Sequence, residues 1–202
     1  VFECREKLAE LINVGGSERV IFTLNGTDSL NFAIRGLLKP GDHVVTTMME
    51  HNSVMRPLTF LQKTQSINVS MVRCSSEGRI DLDHLRSSLN KKTGAVIVNH
   101  GSNVTGTIQP LDKIREAIGD RILIVDACQT IGNVPIDVEG QGIDILCFSC
   151  HKALLGTQGV GALSIRDGID LTPLRLGGTG SGSESIEQPH MLPDKYECGT
   201  PN

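Results

Sequence analysis

Between residues 20 and 165 the sequence alternates two kinds of segment: short apolar runs of strand length, and stretches with apolar residues at helical spacing. The apolar runs are 19–24, 43–47, 68–72, 95–98, 121–125, 143–148 and 160–165; helical patterns cover 30–38, the region around Leu58 and Leu61, 81–89 and 110–118. Strands that alternate with helices across short links pair in parallel, because each helix carries the chain back to the edge where it started. The run AVIV at 95–98 is continuously apolar, as a strand covered on both faces must be. The expected fold is α/β, with a mostly parallel, doubly wound sheet. A further helix over 3–12, the tail of a longer one, is expected to end at Gly15 and Gly16.

Within that alternation, residues 142–161, GIDILCFSCHKALLGTQGVG, break from a strand at Ser149 and present His151 and Lys152 before the next strand. Ligands of α/β sheets dock where the strands end. An amine held there in apolar surroundings can lose its proton and attack a carbonyl, which is how Schiff-base lysines work. The alternative is a loop lysine in water.

The 202 residues suit one sizeable domain. No apolar run is long enough to span a bilayer and no signal-peptide pattern opens the chain, so a soluble, cytoplasmic protein is expected. The net charge of -4, from 19 basic and 23 acidic residues without a basic cluster, argues against nucleic acid as a partner. The start at Val1, and the stop at Thr200, Pro201 and Asn202 without a closing helix pattern, suggest a piece of something longer. Six scattered cysteines without a secretory signal read as free thiols. Cys147 and Cys150 form a C-x-x-C, but there is no second couple, and alternation along a strand need not bring the two sulfurs together. No metal site is expected.

Other strand ends carry polar groups. Asn25, Gly26, Thr27 and Asp28 form a strand-to-helix turn whose helix start can seat a phosphate, or simply be capped by Thr27 or Asn25. His51 follows the strand 43–47, a position suited to a ligand contact, although a lone histidine is more often a satisfied polar residue. The loop 100–106 follows the strand 95–98. Asp126 closes an apolar strand and is costly to bury unless a cation or donor meets it; a protonated ring nitrogen of a cofactor would do so. Gln129 could reach the same ligand if a helical turn begins there. The glycine and serine loop at 177–184 holds no dinucleotide fingerprint.

Six segments, NGTDSLN at 25–31, MEHNS at 49–53, SNVTG at 102–106, DACQT at 126–130, SCHKALLGTQGVG at 149–161 and ECGTPN at 197–202, together resemble the cysteine desulfurase and selenocysteine lyase branch of the class V aminotransferases. These are pyridoxal phosphate enzymes of fold type I. The resemblance implies that residues 1–202 are the cofactor-binding large domain of a homodimer, with an N-terminal segment and a C-terminal small domain outside the chain. It implies that Lys152 forms the internal aldimine with pyridoxal 5'-phosphate and later shuttles a proton. It makes Asp126 the partner of the pyridinium nitrogen, Gln129 the donor to the ring hydroxyl, and His51 the imidazole stacked on the ring. Thr27, Ser149 and His151 match phosphate contacts, and Asn103 a residue near the ring hydroxyl and the substrate carboxylate. Gly199 and Thr200 resemble a segment that reaches the neighbouring subunit's phosphate. Asp28 and Cys150 depart from the residues common in relatives. None of the six cysteines occupies the nucleophile's place, so the attacking thiol and the arginine for the substrate carboxylate are expected outside the chain. The implied activity converts L-cysteine to L-alanine, with sulfur passing to an acceptor, which can be a protein. The alternatives are another class V enzyme (aminotransferase, selenocysteine lyase or kynureninase-like hydrolase) or a catalytically incomplete piece that serves as a binding domain.

Overall fold

A computed structural model describes residues 1–182 and 184–200; Ser183 of the 177–184 loop, and Pro201 and Asn202 of the last motif, lie outside the described residues. In chain order the elements are α1 (Phe2–Ile12), β1 (Val20–Thr23), α2 (Gly26–Leu37), β2 (His43–Thr47), α3 (Asn52–Gln65), β3 (Asn68–Val72), α4 (Leu82–Ser88), β4 (Thr93–Asn99), α5 (Leu111–Ile118), β5 (Ile122–Asp126), β6 (Ile145–Ser149) and β7 (Gly161–Ile165). They build one sheet in the order β1-β7-β6-β5-β4-β2-β3. β3, β2, β4, β5 and β6 pair in parallel, and β7 runs antiparallel to both β6 and β1.

Alternate residues of each strand feed two separate apolar layers, as the two-residue period of a strand requires. Val96, Val98, Leu123 and Val125 join Leu8 and Ile12 of α1, Leu85 of α4 and Ile114 and Ile118 of α5 on one face. Ala95, Ile97, Ile124 and Ile145 join Leu30 and Ile34 of α2 and Val54, Leu58 and Leu61 of α3 on the other. The sheet is therefore wound from both sides. The helices change face between β2 and β4, where the winding reverses and where α/β sheets place their ligands.

Three local expectations are corrected. α1 ends at Asn13, in the left-handed region at φ 50, rather than at the glycines; asparagine tolerates that conformation, and its N–H bonds back to the last turn. α2 begins at Gly26, four residues before the apolar pattern, because Asn25 caps it by accepting the Asp28 N–H at 2.9 Å. The strict strand and helix alternation fails after β5: residues 127–144 form turns without a helix, and β7 returns antiparallel after the lysine loop. Among the described residues no helix is long and apolar enough to cross a membrane. Cys147 packs in one apolar layer and Cys150 in the other, so the C-x-x-C straddles the sheet and its sulfurs do not converge.

Candidate active site

The carboxyl ends of β1, β2, β4, β5 and β6 open onto one cavity of about 530 Å³. After β1 the chain turns at Asn25 into α2, and the asparagine cap leaves the Thr27 hydroxyl and the Gly26 and Thr27 amides without hydrogen bonds among the described residues. Free amides at the start of a twelve-residue helix make an anion seat. Two glycines let that helix end reach the sheet. A Cβ on Gly26 would lie 2.3 Å from Cys128 Sγ, and one on Gly161 would lie 2.4 Å from the Asn25 carbonyl carbon.

After β2 comes His51, which caps α3. Its Nδ1 accepts the Ser53 N–H at 3.1 Å and lies 2.6 Å from the Ser53 hydroxyl. Two donors at Nδ1 put the proton of the neutral ring on Nε2. After β4, Ser102 Oγ accepts the amides of Val104 and Thr105 at 3.2 Å and holds the turn that exposes Asn103 at the cavity. His100, in the same loop, is buried against Thr130 Oγ1 at 2.9 Å and its basicity is lowered by that burial, so it is a structural residue.

After β5, Asp126 is 5% exposed, accepts the Cys128 N–H at 2.9 Å with the Cys128 thiol as a second, weak donor, and makes no ion pair among the described residues. The turn expected at Gln129 is present: the amide of Ile131 bonds the Ala127 carbonyl at 3.0 Å, and Gln129 lines the cavity. Burial, followed by the charge of Asp126, pushes the Cys128 thiol well up, so it faces the cavity as a neutral S–H. After β6, Ser149 Oγ is sealed from solvent without a hydrogen bond of normal geometry, its weak-donor neighbour being the Cys128 thiol. The next turn is closed by the Gly156 N–H to the Cys150 carbonyl at 2.9 Å, and holds His151 and Lys152 exposed at the cavity mouth.

Eight of the nine residues singled out in the sequence meet here: Thr27, His51, Asn103, Asp126, Gln129, Ser149, His151 and Lys152. Thr200 does not. It lines a separate cavity with Cys4, Cys150 and Gly156, so within one chain it is no part of this site. Lys152 also departs from expectation, because its surroundings are polar and open rather than apolar. β6 ends at Ser149, and the turn lifts the amine off the sheet, away from the apolar layers. Asn99, Cys128 and Ser53 line the cavity too and were not singled out; Cys128 lay inside the DACQT motif, and Asn99 ends the AVIV strand.

The donor set suits a pyridoxal phosphate. A helix start with its first amides free matches a phosphate, a primary amine with no ion pair among the described residues matches an aldehyde, and a buried carboxylate with no cation among the described residues matches a protonated ring nitrogen. The Ser149 hydroxyl, with only the Cys128 sulfur beside it among the described residues, is a further donor without an oxygen acceptor.

Comparison with known proteins agrees. The family description Aminotransferase class-V matches residues 1–202. The chain is 38% identical over 194 residues to cysteine desulfurase IscS 1 of Archaeoglobus fulgidus, covering 91% of this chain and 50% of that protein. It is 38% identical over 183 residues to cysteine desulfurase IscS of Dictyoglomus turgidum, covering 88% and 46%. The apo structure of a cysteine desulfurase from Thermococcus onnurineus superposes with a TM-score of 0.89 at 31% identity, over 99% of this chain and 52% of that one. The chain thus spans about half the length of the relatives it matches. The match along its whole length, together with the sheet and the cavity at its carboxyl edge, establishes that the chain belongs to the class-V aminotransferase family.

Proposed function

We propose that this chain is the pyridoxal 5'-phosphate-binding part of a cytoplasmic cysteine desulfurase, which takes L-cysteine and an acceptor thiol to L-alanine and an acceptor persulfide. The observation that carries this reading is the meeting of Lys152, Asp126 and the amino end of α2 at one cavity, in a chain whose relatives are cysteine desulfurases. Bound there, the cofactor supplies an electron sink for charge developing at the α-carbon of an amino acid.

The chain's own groups have separable tasks. The amides of Gly26 and Thr27, the Thr27 hydroxyl, Ser149 Oγ and His151 would hold the phosphate, fixing the group at the end away from the chemistry. Asp126 would keep a proton on the ring nitrogen, and its burial would strengthen that charge-assisted bond. Gln129 would donate to the ring hydroxyl, Asn103 would orient the substrate, and His51 would lie against the ring. Lys152 Nζ would be the amine that holds the cofactor's aldehyde carbon and the group that moves a proton at the substrate α-carbon; its exposed position, with no ion pair among the described residues, leaves it free to turn between the two tasks. Gly199 and Thr200 lie apart from this cavity and are assigned to the phosphate of a partner subunit in a homodimer. The sulfur acceptor can be a second protein.

The test is product analysis of the whole protein given L-cysteine, pyridoxal phosphate and a thiol. Alanine and sulfide released in equal amounts, and abolished in Lys152→Ala, are expected. Turnover of amino acids without sulfide release would overturn the desulfurase reading while leaving the cofactor in place.

A further inference from the structure

Glu50 stands behind the cavity wall, between the end of β2 and His51. Its Oε1 accepts the Thr47 hydroxyl at 2.6 Å and the Asn99 backbone N–H at 3.1 Å, while Asn99 Nδ2 donates to the Met49 carbonyl at 2.8 Å. Two of these bonds tie the loop that carries His51 to the end of β4, and the third ties it back to the end of β2. The residue as a whole is half-buried, yet its Oε2 is sealed from solvent and has no hydrogen-bond partner among the described residues. Asn99 Oδ1 is likewise sealed and unpartnered. Two sealed acceptors in contacting residues, with no donor between them, are costly; a proton on Oε2 converts one of them into a donor.

The electrostatics agree with that geometry. Burial, with the Asp126 charge adding to it, pushes the Glu50 carboxyl up to about 8, although the bonds from Thr47 and Asn99 oppose the rise. The other titratable groups around it are Cys74, beyond β3, whose thiol burial raises in turn, His51 next in the chain, and Lys152 across the cavity. Asp126 is the only acid lining the cavity among the described residues.

We propose that Glu50 is a neutral carboxylic acid in the folded protein at neutral pH, a positioning residue that pins the His51 loop to β4 and leaves Asp126 as the sole negative charge facing the cofactor. The positioning half rests on the function proposed above; the protonation half does not. In the linkage, the folded group holds its proton up to about pH 8 whereas the unfolded one releases it near its ordinary value of 4.5, so folding takes up a proton between those limits. The stability contribution is whole below pH 4.5, falls as the pH rises, and levels off above about 8.

Denaturant unfolding of the cofactor-free protein from pH 5 to 9 tests the first half against Glu50→Gln, whose amide donates and accepts as a neutral acid does. The wild-type midpoint should fall relative to that of Glu50→Gln as the pH rises to about 8, and then hold a constant gap. Parallel curves, or a wild type that gains on the variant, overturn the proposal. Should Glu50→Gln not fold, infrared spectra of the wild type replace it: a protonated-carboxyl band present at pH 6 and lost by pH 9 is expected, and its absence at pH 6 is the contrary result. The second half is read by equilibrium dialysis of pyridoxal phosphate at pH 6. Glu50→Gln should bind within about twofold of wild type, and Glu50→Leu about tenfold more weakly, a difference of ~1.4 kcal/mol. Equal binding by Glu50→Leu overturns the positioning role. A wild type that ignores pyridoxal phosphate overturns the proposed function and the positioning role, leaving the pH result standing.

Discussion

Two aspartates at opposite ends of neighbouring strands, Asp126 closing β5 and Asp144 just before β6, are buried to the same degree, at 5% and 6% exposure, and meet opposite fates. Asp144, at the amino edge of the sheet before β6, is completed by its own chain. Its Oδ2 accepts Arg115 and the Leu123 amide at 2.8 and 2.7 Å, and its Oδ1 accepts Arg166 at 2.8 Å. Asp126, at the carboxyl edge, has one backbone bond and no ion pair among the described residues, and it faces a cavity. A buried carboxylate that the chain neutralises holds the fold together; one that the chain leaves incomplete is arranged for something else to complete.

Asp144→Asn attacks the completed partner and should have the largest effect on stability. Removing one member of a buried ion pair leaves the other uncompensated and costs about 3 kcal/mol in denaturant unfolding, while pyridoxal phosphate affinity should stay within about twofold, less than ~0.5 kcal/mol. Asp126→Asn should do the reverse. Unfolding should be unchanged or slightly harder, and cofactor affinity should weaken roughly 30-fold, the value of a charge-assisted hydrogen bond of ~2 kcal/mol. Equal stability losses in the two variants would end the contrast between them.

The same contrast can be sharpened at the anion seat. Gly26→Ala drives a Cβ into Cys128 Sγ and should cost about 1.5 kcal/mol of stability by overpacking. Cys128→Ala in the same chain should recover part of that loss, and a double-mutant cycle measures the recovery. The smallest effect is expected for Asn25→Ala, which removes the side-chain cap of α2 and should lower stability by about 1 kcal/mol.

Much of this arrangement was legible in the letters. Strand ends are marked by a switch from apolar to polar residues, so Thr27, His51, Asp126 and Lys152 could be placed at one edge of a parallel sheet before any coordinates. The C-x-x-C could be set aside because adjacent strand positions face opposite layers, as Cys147 and the nearby Cys150 do. What escaped depends on contacts between distant segments. Glu50 looks like any loop acid beside His51, and only the Thr47 and Asn99 contacts make it a buried group. For α2 the apolar spacing alone gave a start at Leu30, because the first turn is polar, while Asn25, one of the two candidate caps, sets the true start. The apolar setting expected for Lys152 was wrong because flanking strand residues point to the sheet faces, while the turn between the strands stands clear of them. Thr200 lines a second cavity within one chain, and its expected reach to a partner subunit rests on the resemblance, not on anything its neighbours in sequence encode.

The central claim is that the Lys152 amine is where the cofactor attaches. The most direct measurement is borohydride reduction of the protein after incubation with pyridoxal phosphate, followed by peptide mapping with mass spectrometry. A single dominant pyridoxyl label on Lys152, absent from Lys152→Ala, is the predicted result. A label spread over the surface lysines and undiminished in Lys152→Ala would contradict it.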